Sequence, residues 1–224
     1  MSYQELPVIF VNTDKFHTVT ILLRFKGKFS KESITRRYIL QRLMTLTTQK
    51  YHTKKKMITQ ADALYSAYVN SYSLSFYETN LTFFLIKIVN PKYVNDKDLI
   101  NKAIDFLYEV IFYPNIKENT FNSLEFFEEK QKLIDKQQLI FQNKPRFAFE
   151  RFLQTMCPDE LISYPSYGTE EDIVSLTPES IYKDYVKLMN EPMQVYVMGS
   201  VDSKDFVGLE RFKKSCERLT LSIN

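Results

Sequence analysis

The chain has 224 residues, enough for one large domain or two small ones. Hydrophobic residues make up 44% and charged residues 25%, the composition of a folded globular protein, which argues against disorder. With 30 basic and 27 acidic side chains the net charge is +3, too balanced to argue for a nucleic-acid partner or an anionic membrane.

The 18 Phe and 15 Tyr, with no Trp, make aromatic rings a large part of the expected core. None of the four glycines forms a Gly-x-Gly loop or a P-loop, so nucleotide binding by those routes is excluded. Cys157 and Cys216 are far apart and make no disulfide framework, which points to a reducing compartment. The first residues show no basic region followed by an apolar one, and no apolar run is long enough to span a bilayer. The expectation is a soluble, cytoplasmic protein with no membrane partner.

Residues 8–11 and 19–25 read as the first two strands. The second alternates, with Val19, Ile21, Leu23 and Phe25 on one face and Thr20, Leu22 and Arg24 on the other. Residues 26–29 read as a turn around Gly27. Ser30 is placed to cap a helix running to about Thr48, with Ile34, Leu40, Leu43 and Met44 in its apolar stripe. Residues 51–56 are polar and basic, a loop or helix entry. Lys54, Lys55 and Lys56 read as a solvated stretch, with no wider basic face beside them. A helix over 56–65 follows. Residues 68–76 and 81–89 read as strands, joined by a turn at Glu78, Thr79 and Asn80.

After a loop over 90–98, residues 99–112 form a strongly periodic helix stopped by Pro114. Residues 120–142 are helical and dense in Glu and Lys of interleaved sign, the pattern of an exposed face. Pro145 interrupts, 146–156 resume as helix, and 157–167 read as a surface loop. Thr177 is a candidate N-cap, Pro178 sits where a helix start tolerates it, and Ile181, Tyr185 and Leu188 share a face. Residues 194–198 are a β-prone run stopped by Gly199, and 203–219 read as a last amphipathic helix. The sequence shows no repeat and no linker. The fold class expected is α+β, an antiparallel β-sheet covered by helices on one face.

Particular residues narrow this reading. Gly168-Thr169-Glu170-Glu171-Asp172-Ile173, the helix start at Leu176-Thr177, and a strand ending Gly199-Ser200-Val201-Asp202 come in that order. The series resembles the close of the first domain of M16 (pitrilysin-like, inverted zincin) peptidases. Asp14-Lys15-Phe16-His17-Thr18-Val19-Thr20-Ile21, Thr35-Arg36-Arg37, Ala63-Leu64-Tyr65 and Lys144-Pro145-Arg146-Phe147-Ala148 narrow it to one branch. They resemble the non-catalytic branch that lacks the zinc motif and is associated with 5-aminopentanol modification of elongation factor P. Genes of that branch usually neighbour a paralogue that keeps the motif. The resemblance implies a LuxS/MPP-like metallohydrolase fold, with residues 1–224 as a single N-terminal M16-like domain. The second, similar domain of full-length relatives is expected to be absent from this chain.

An inverted zincin needs His-x-x-Glu-His on a helix. The two His share a face and bind zinc, and the Glu takes a proton from the zinc-bound water. By the resemblance, those positions fall on Tyr38-Ile39-Leu40-Gln41-Arg42. Tyr38 and Arg42 stand for the two His and Gln41 for the general base. A remote Glu-x6-Glu pattern aligns with Glu129 and Lys136. Arg42 would repel a divalent cation, and Gln41 cannot take a proton. His17 and His52 are the only histidines, and with Cys157 and Cys216 they have no ligand spacing. With no Gly-x-Ser-x-Gly, no nucleophilic triad is proposed.

The expectation is therefore no metal, no cofactor and no enzyme activity in the chain alone. The resemblance implies pairing with an active zinc-bearing M16 paralogue as a heterodimer, or self-association, to enclose an unfolded peptide. It places that peptide along an edge strand, at Val69, Asn70, Ser71, Tyr72 and Ser73. A free-standing peptide-binding or scaffold protein with no protease role is the alternative.

Overall fold

The structure is a computed structural model that describes residues 7–76, 78–165 and 167–212. Its main sheet has five strands: β1 (Val8–Asn12), β2 (Thr18–Lys28), β3 (Tyr68–Phe76), β4 (Thr79–Val89) and β7 (Met193–Gly199), in the order β1-β7-β2-β4-β3. A short hairpin of β5 (Ile116–Lys117) and β6 (Thr120–Phe121) turns through Glu118 and Asn119, both at positive φ. The helices are α1 (Lys31–Leu46), α2 (Lys54–Ala63), α3 (Leu99–Phe112), α4 (Ser123–Ile140), α5 (Lys144–Met156), α6 (Glu170–Ser175) and α7 (Pro178–Met189). The α+β class stands, with one refinement. The pairs β2–β4, β2–β7 and β3–β4 are antiparallel, whereas β1 lies parallel to β7. Most of the domain separates β1 from β7, so no hairpin turn imposes the antiparallel sense.

Alternation in the strands decides which face is covered. Val19, Ile21, Leu23 and Phe25 of β2, Phe84, Ile86 and Ile88 of β4, and Val195 and Val197 of β7 are buried against the helices. Ile39, Leu40, Leu43 and Met44 of α1 and Ala103, Ile104, Leu107 and Ile111 of α3 meet them. Each large aliphatic or aromatic side chain buried there contributes roughly 1.5–3 kcal/mol. The alternate strand residues line the helix-free face. On that face Tyr72 stacks on Phe83 at 4.7 Å, and the Arg24 guanidinium lies 5.5 Å over the Tyr196 ring.

Three local expectations change. Gly27 is not in a turn but inside β2, opposite Asn80. A side chain there would collide with Glu191 and Arg37, whose ion pair crosses the strand at this point. Thr79 and Asn80 likewise belong to β4. Pro145 starts α5 rather than interrupting a helix, because a first-turn residue has no intrahelical N–H partner to lose. Thr177 caps α7 as read, accepting from the Ser180 N–H at 3.2 Å. At the far end a 3₁₀ segment spans Ser203–Leu209. The remainder of the helix expected over 203–219, beyond residue 212, and Cys216 lie outside the described residues. Among the described residues no helix is long and apolar enough to cross a membrane.

Candidate functional site: a flank of α1 beside an edge strand

Helix α1 is the centre of the site. It packs on β3 and β4 and is also touched by α3, α4, α6 and α7. Ser30 is its N-cap residue, and the Ser33 hydroxyl accepts from the Ser30 N–H at 3.1 Å. Enclosure on so many sides buries polar residues that an apolar stripe does not show, among them Thr35, Arg37 and Gln41. Arg37 is satisfied by Glu191 at 2.8 Å and the Thr82 hydroxyl at 3.2 Å.

Positions 38, 41 and 42 are spaced i, i+3, i+4 and so share a flank of α1. Each meets a partner. The Lys136 ammonium of α4 donates to the Tyr38 hydroxyl at 2.6 Å. Arg42 Nε donates to Glu129 Oε2 at 3.1 Å, and Lys132 Nζ donates to Glu129 Oε1 at 2.6 Å. The Gln41 side-chain oxygen accepts from the Ser73 hydroxyl at 3.1 Å, and its backbone carbonyl accepts from the Ser71 hydroxyl at 3.1 Å. The structure thus gathers Tyr38, Gln41, Arg42, Glu129 and Lys136 in one place, with β3 alongside.

Glu129 is 2% exposed, while the Arg42 side chain is 41% exposed. Burial pushes the Glu129 carboxyl up, but the hydrogen bonds from Lys132 and Arg42 outweigh it and hold the group below the usual carboxylate range. A buried carboxylate with two cations is satisfied; stripped of them it would be costly.

These residues do not fit zinc. The positions that the resemblance assigns to the motif supply a phenol, an amide and a guanidinium, and Glu129 commits one oxygen to each of two cations. No cluster of three or more His, Cys, Asp or Glu occurs among the described residues. His17 Nδ1 is 2.6 Å from the Tyr93 hydroxyl, His52 Nε2 is 3.3 Å from Lys56 Nζ, and Cys157 is a half-buried free thiol.

Strand β3 occupies the sheet edge, with β4 as its one strand neighbour among the described residues. Val69 packs against the core, and Ser71 and Ser73 point to α1. Asn70 and Tyr72 alternate onto the helix-free face. Lys132, Tyr167 and the two serine bonds to Gln41 were not singled out by the sequence. One signal was available: an Arg at a ligand position with a Glu kept on the facing helix suggests a compensating ion pair.

No family model matches the chain. Over 211 residues, 93% of its length, it is 26% identical to "Probable inactive metalloprotease YmfF" of Bacillus subtilis (strain 168), of which it spans 50%. A conserved protein from Enterococcus faecalis V583 superposes with a TM-score of 0.86 at 27% identity, over 93% of this chain and 49% of that one. A peptidase M16 inactive domain from Pseudomonas fluorescens superposes with a TM-score of 0.70 at 12% identity, over 93% of this chain and 48% of that one, a likeness of fold alone. The fold is that of an M16 peptidase domain. Over nearly its whole length the chain is similar to a probable inactive metalloprotease, and it spans about half the length of the relatives it matches.

Proposed function

We infer that this protein is a cytoplasmic pseudo-peptidase that pairs with an active zinc-bearing M16 paralogue and helps enclose an unfolded peptide. One observation carries the reading: β3, whose outer edge meets no further strand among the described residues, is fastened to α1 through Ser71, Ser73 and Gln41. A peptide added to that edge gains main-chain hydrogen bonds without a sequence requirement, and it lies beside a helix that has lost its catalytic groups. Binding is kept and cleavage is left to the partner. The helix-free face of the sheet supports pairing. Its described strand residues include Leu22, Phe83, Leu85, Tyr196 and Met198, and its charged members are all cations, Arg24, Lys26, Lys28 and Lys87.

The test is co-expression with an M16 paralogue that retains His-x-x-Glu-His, followed by mass measurement of the purified species. The expected result is a one-to-one complex that processes an unfolded peptide faster than the paralogue alone. If the two proteins elute separately and the paralogue's rate is unchanged by this chain, the pairing is wrong.

A further inference from the structure

This flank of α1 has the opposite polarity to a metal site. Arg42, Lys132 and Lys136 bring three positive charges to the facing flanks of α1 and α4. Glu129 engages the first two and is itself buried. Lys136 is exposed and has no carboxylate partner among the described residues. Its ammonium rests on the Tyr38 hydroxyl, beyond the edge of that ring, and lies over the Tyr167 ring at 6.0 Å. Ring faces hold a cation in place but do not neutralise it. The two rings meet edge-on at 5.3 Å. Arg146 lies over Tyr167 at 4.9 Å, with Glu150 as its own counter-ion at 3.5 Å.

We propose that this cluster is a carboxylate-binding subsite, and that a peptide held on β3 is selected for a carboxylate presented to Lys136, Tyr38 and Arg42. The proposal rests on the reading of β3 as the docking strand. Its donors are in place. Lys136 has further N–H groups to give. The Tyr38 oxygen accepts from Lys136, which leaves its O–H to donate. Arg42 gives Nε to Glu129 and keeps its terminal N–H groups. Hydrogen bonds between ionised groups are the strong ones, and a guanidinium matches a carboxylate in shape. Position follows from the serine bonds: β3 meets α1 at Gln41, within one helical turn of Tyr38 and Arg42. The carboxylate comes from an acidic side chain or from the peptide's own C-terminus.

Three unstructured peptides of one length and a fluorescent label separate these sources. The first carries Asp and Glu with an amidated C-terminus. The second replaces them with Asn and Gln, also amidated. The third is the second with a free C-terminal carboxylate. Anisotropy titrations of the purified protein should show the first or the third binding about tenfold tighter than the second, the scale of a hydrogen bond to a charged group. The preferred peptide identifies the source, and its advantage should shrink as salt rises. Lys136→Met should remove the advantage and leave the affinity for the second peptide unchanged. Equal affinity for all three peptides overturns the subsite and leaves docking on β3 standing. Failure of every peptide to bind overturns both. An advantage that survives Lys136→Met combined with Tyr38→Phe also overturns the subsite.

Discussion

Arg42 Nε lies 3.1 Å from Oε2 of Glu129, which joins the position that the resemblance assigns to a second zinc-binding His to a carboxylate on the neighbouring helix. The positive charge that a metal would bring is supplied by a guanidinium of the chain itself. Glu129 could not stay ionised and buried without it and Lys132. The Arg42–Glu129 pair thus holds α1 to α4.

This pair bears on metal content. The purified protein is expected to hold no stoichiometric zinc and to cleave no peptide alone. The triple variant Tyr38→His, Gln41→Glu, Arg42→His should gain at most weak zinc binding. The ammonium groups of Lys132 and Lys136 remain in the site and oppose a divalent cation. Metal analysis and calorimetry check both statements; one tightly held zinc per chain, in either protein, would contradict them.

Stability should fall at both ends of the pH range. The Glu129 carboxyl sits below its ordinary value of 4.5, so its contribution is complete above that value and drains away as pH falls through the folded one. Tyr164 goes the other way. Burial, then the hydrogen bond to Asp172 and that residue's charge, push it from 10 up to about 12. Its contribution is complete below 10 and is lost as pH rises from 10 to about 12. Urea midpoints across pH would show this. Glu129→Gln should shallow the acid limb and Tyr164→Phe the alkaline limb. Asp172, also held low, keeps some acid slope in the first variant.

A proline scan along β3 tests the docking edge. In an antiparallel pair successive N–H groups point alternately to the neighbour and away. Val69→Pro and Ser71→Pro share one direction, and Asn70→Pro and Tyr72→Pro share the other. One set should weaken the β3–β4 ladder and lower the thermal midpoint. The other should leave the fold intact and abolish peptide binding, because edge strands tolerate Pro on their outer side. If neither set affects peptide binding in folded protein, the strand is not the docking edge.

Gly27→Ala probes the crossing of Arg37 and Glu191 over β2. An added methyl has no room there, so the pair must shift. Overpacking of this kind costs about 1–3 kcal/mol. Chemical denaturation should show a loss in that range, and a neutral substitution would mean that the pair is free to move aside.

Much of the framework was legible in the residues. The bounds Leu99–Phe112 follow from a clean apolar stripe and Pro114, and β2 from strict alternation. The edge position of β3, expected from the resemblance, is where the sheet order puts it. The misses share a cause: partners distant in sequence. Gly27 reads as a turn because Lys26 and Lys28 flank it, while its real constraint is a pair formed by residues 37 and 191. Thr35, Arg37 and Gln41 lie outside the apolar stripe read for α1 and are buried all the same, because periodicity assumes a single buried side and α1 has several. The resemblance names Tyr38, Gln41, Arg42, Glu129 and Lys136 together. Lys132 is not named, since it looks like an ordinary solvated residue of a mixed-charge helix.

The parallel pairing of β1 with β7 also sets an order of assembly. Val8 finds Val195 only after nearly the whole chain has been brought round, and β1 has no other strand beside it among the described residues. Closing so long a loop costs entropy that no local contact repays in advance. The β3–β4 hairpin closes at short range and β2–β4 across two helices and a strand, so β7 on β2 and then β1 on β7 are expected to form last. In the folded protein the same strand is the outermost layer of protection, so its amides should exchange with solvent well before those of β2 and β4.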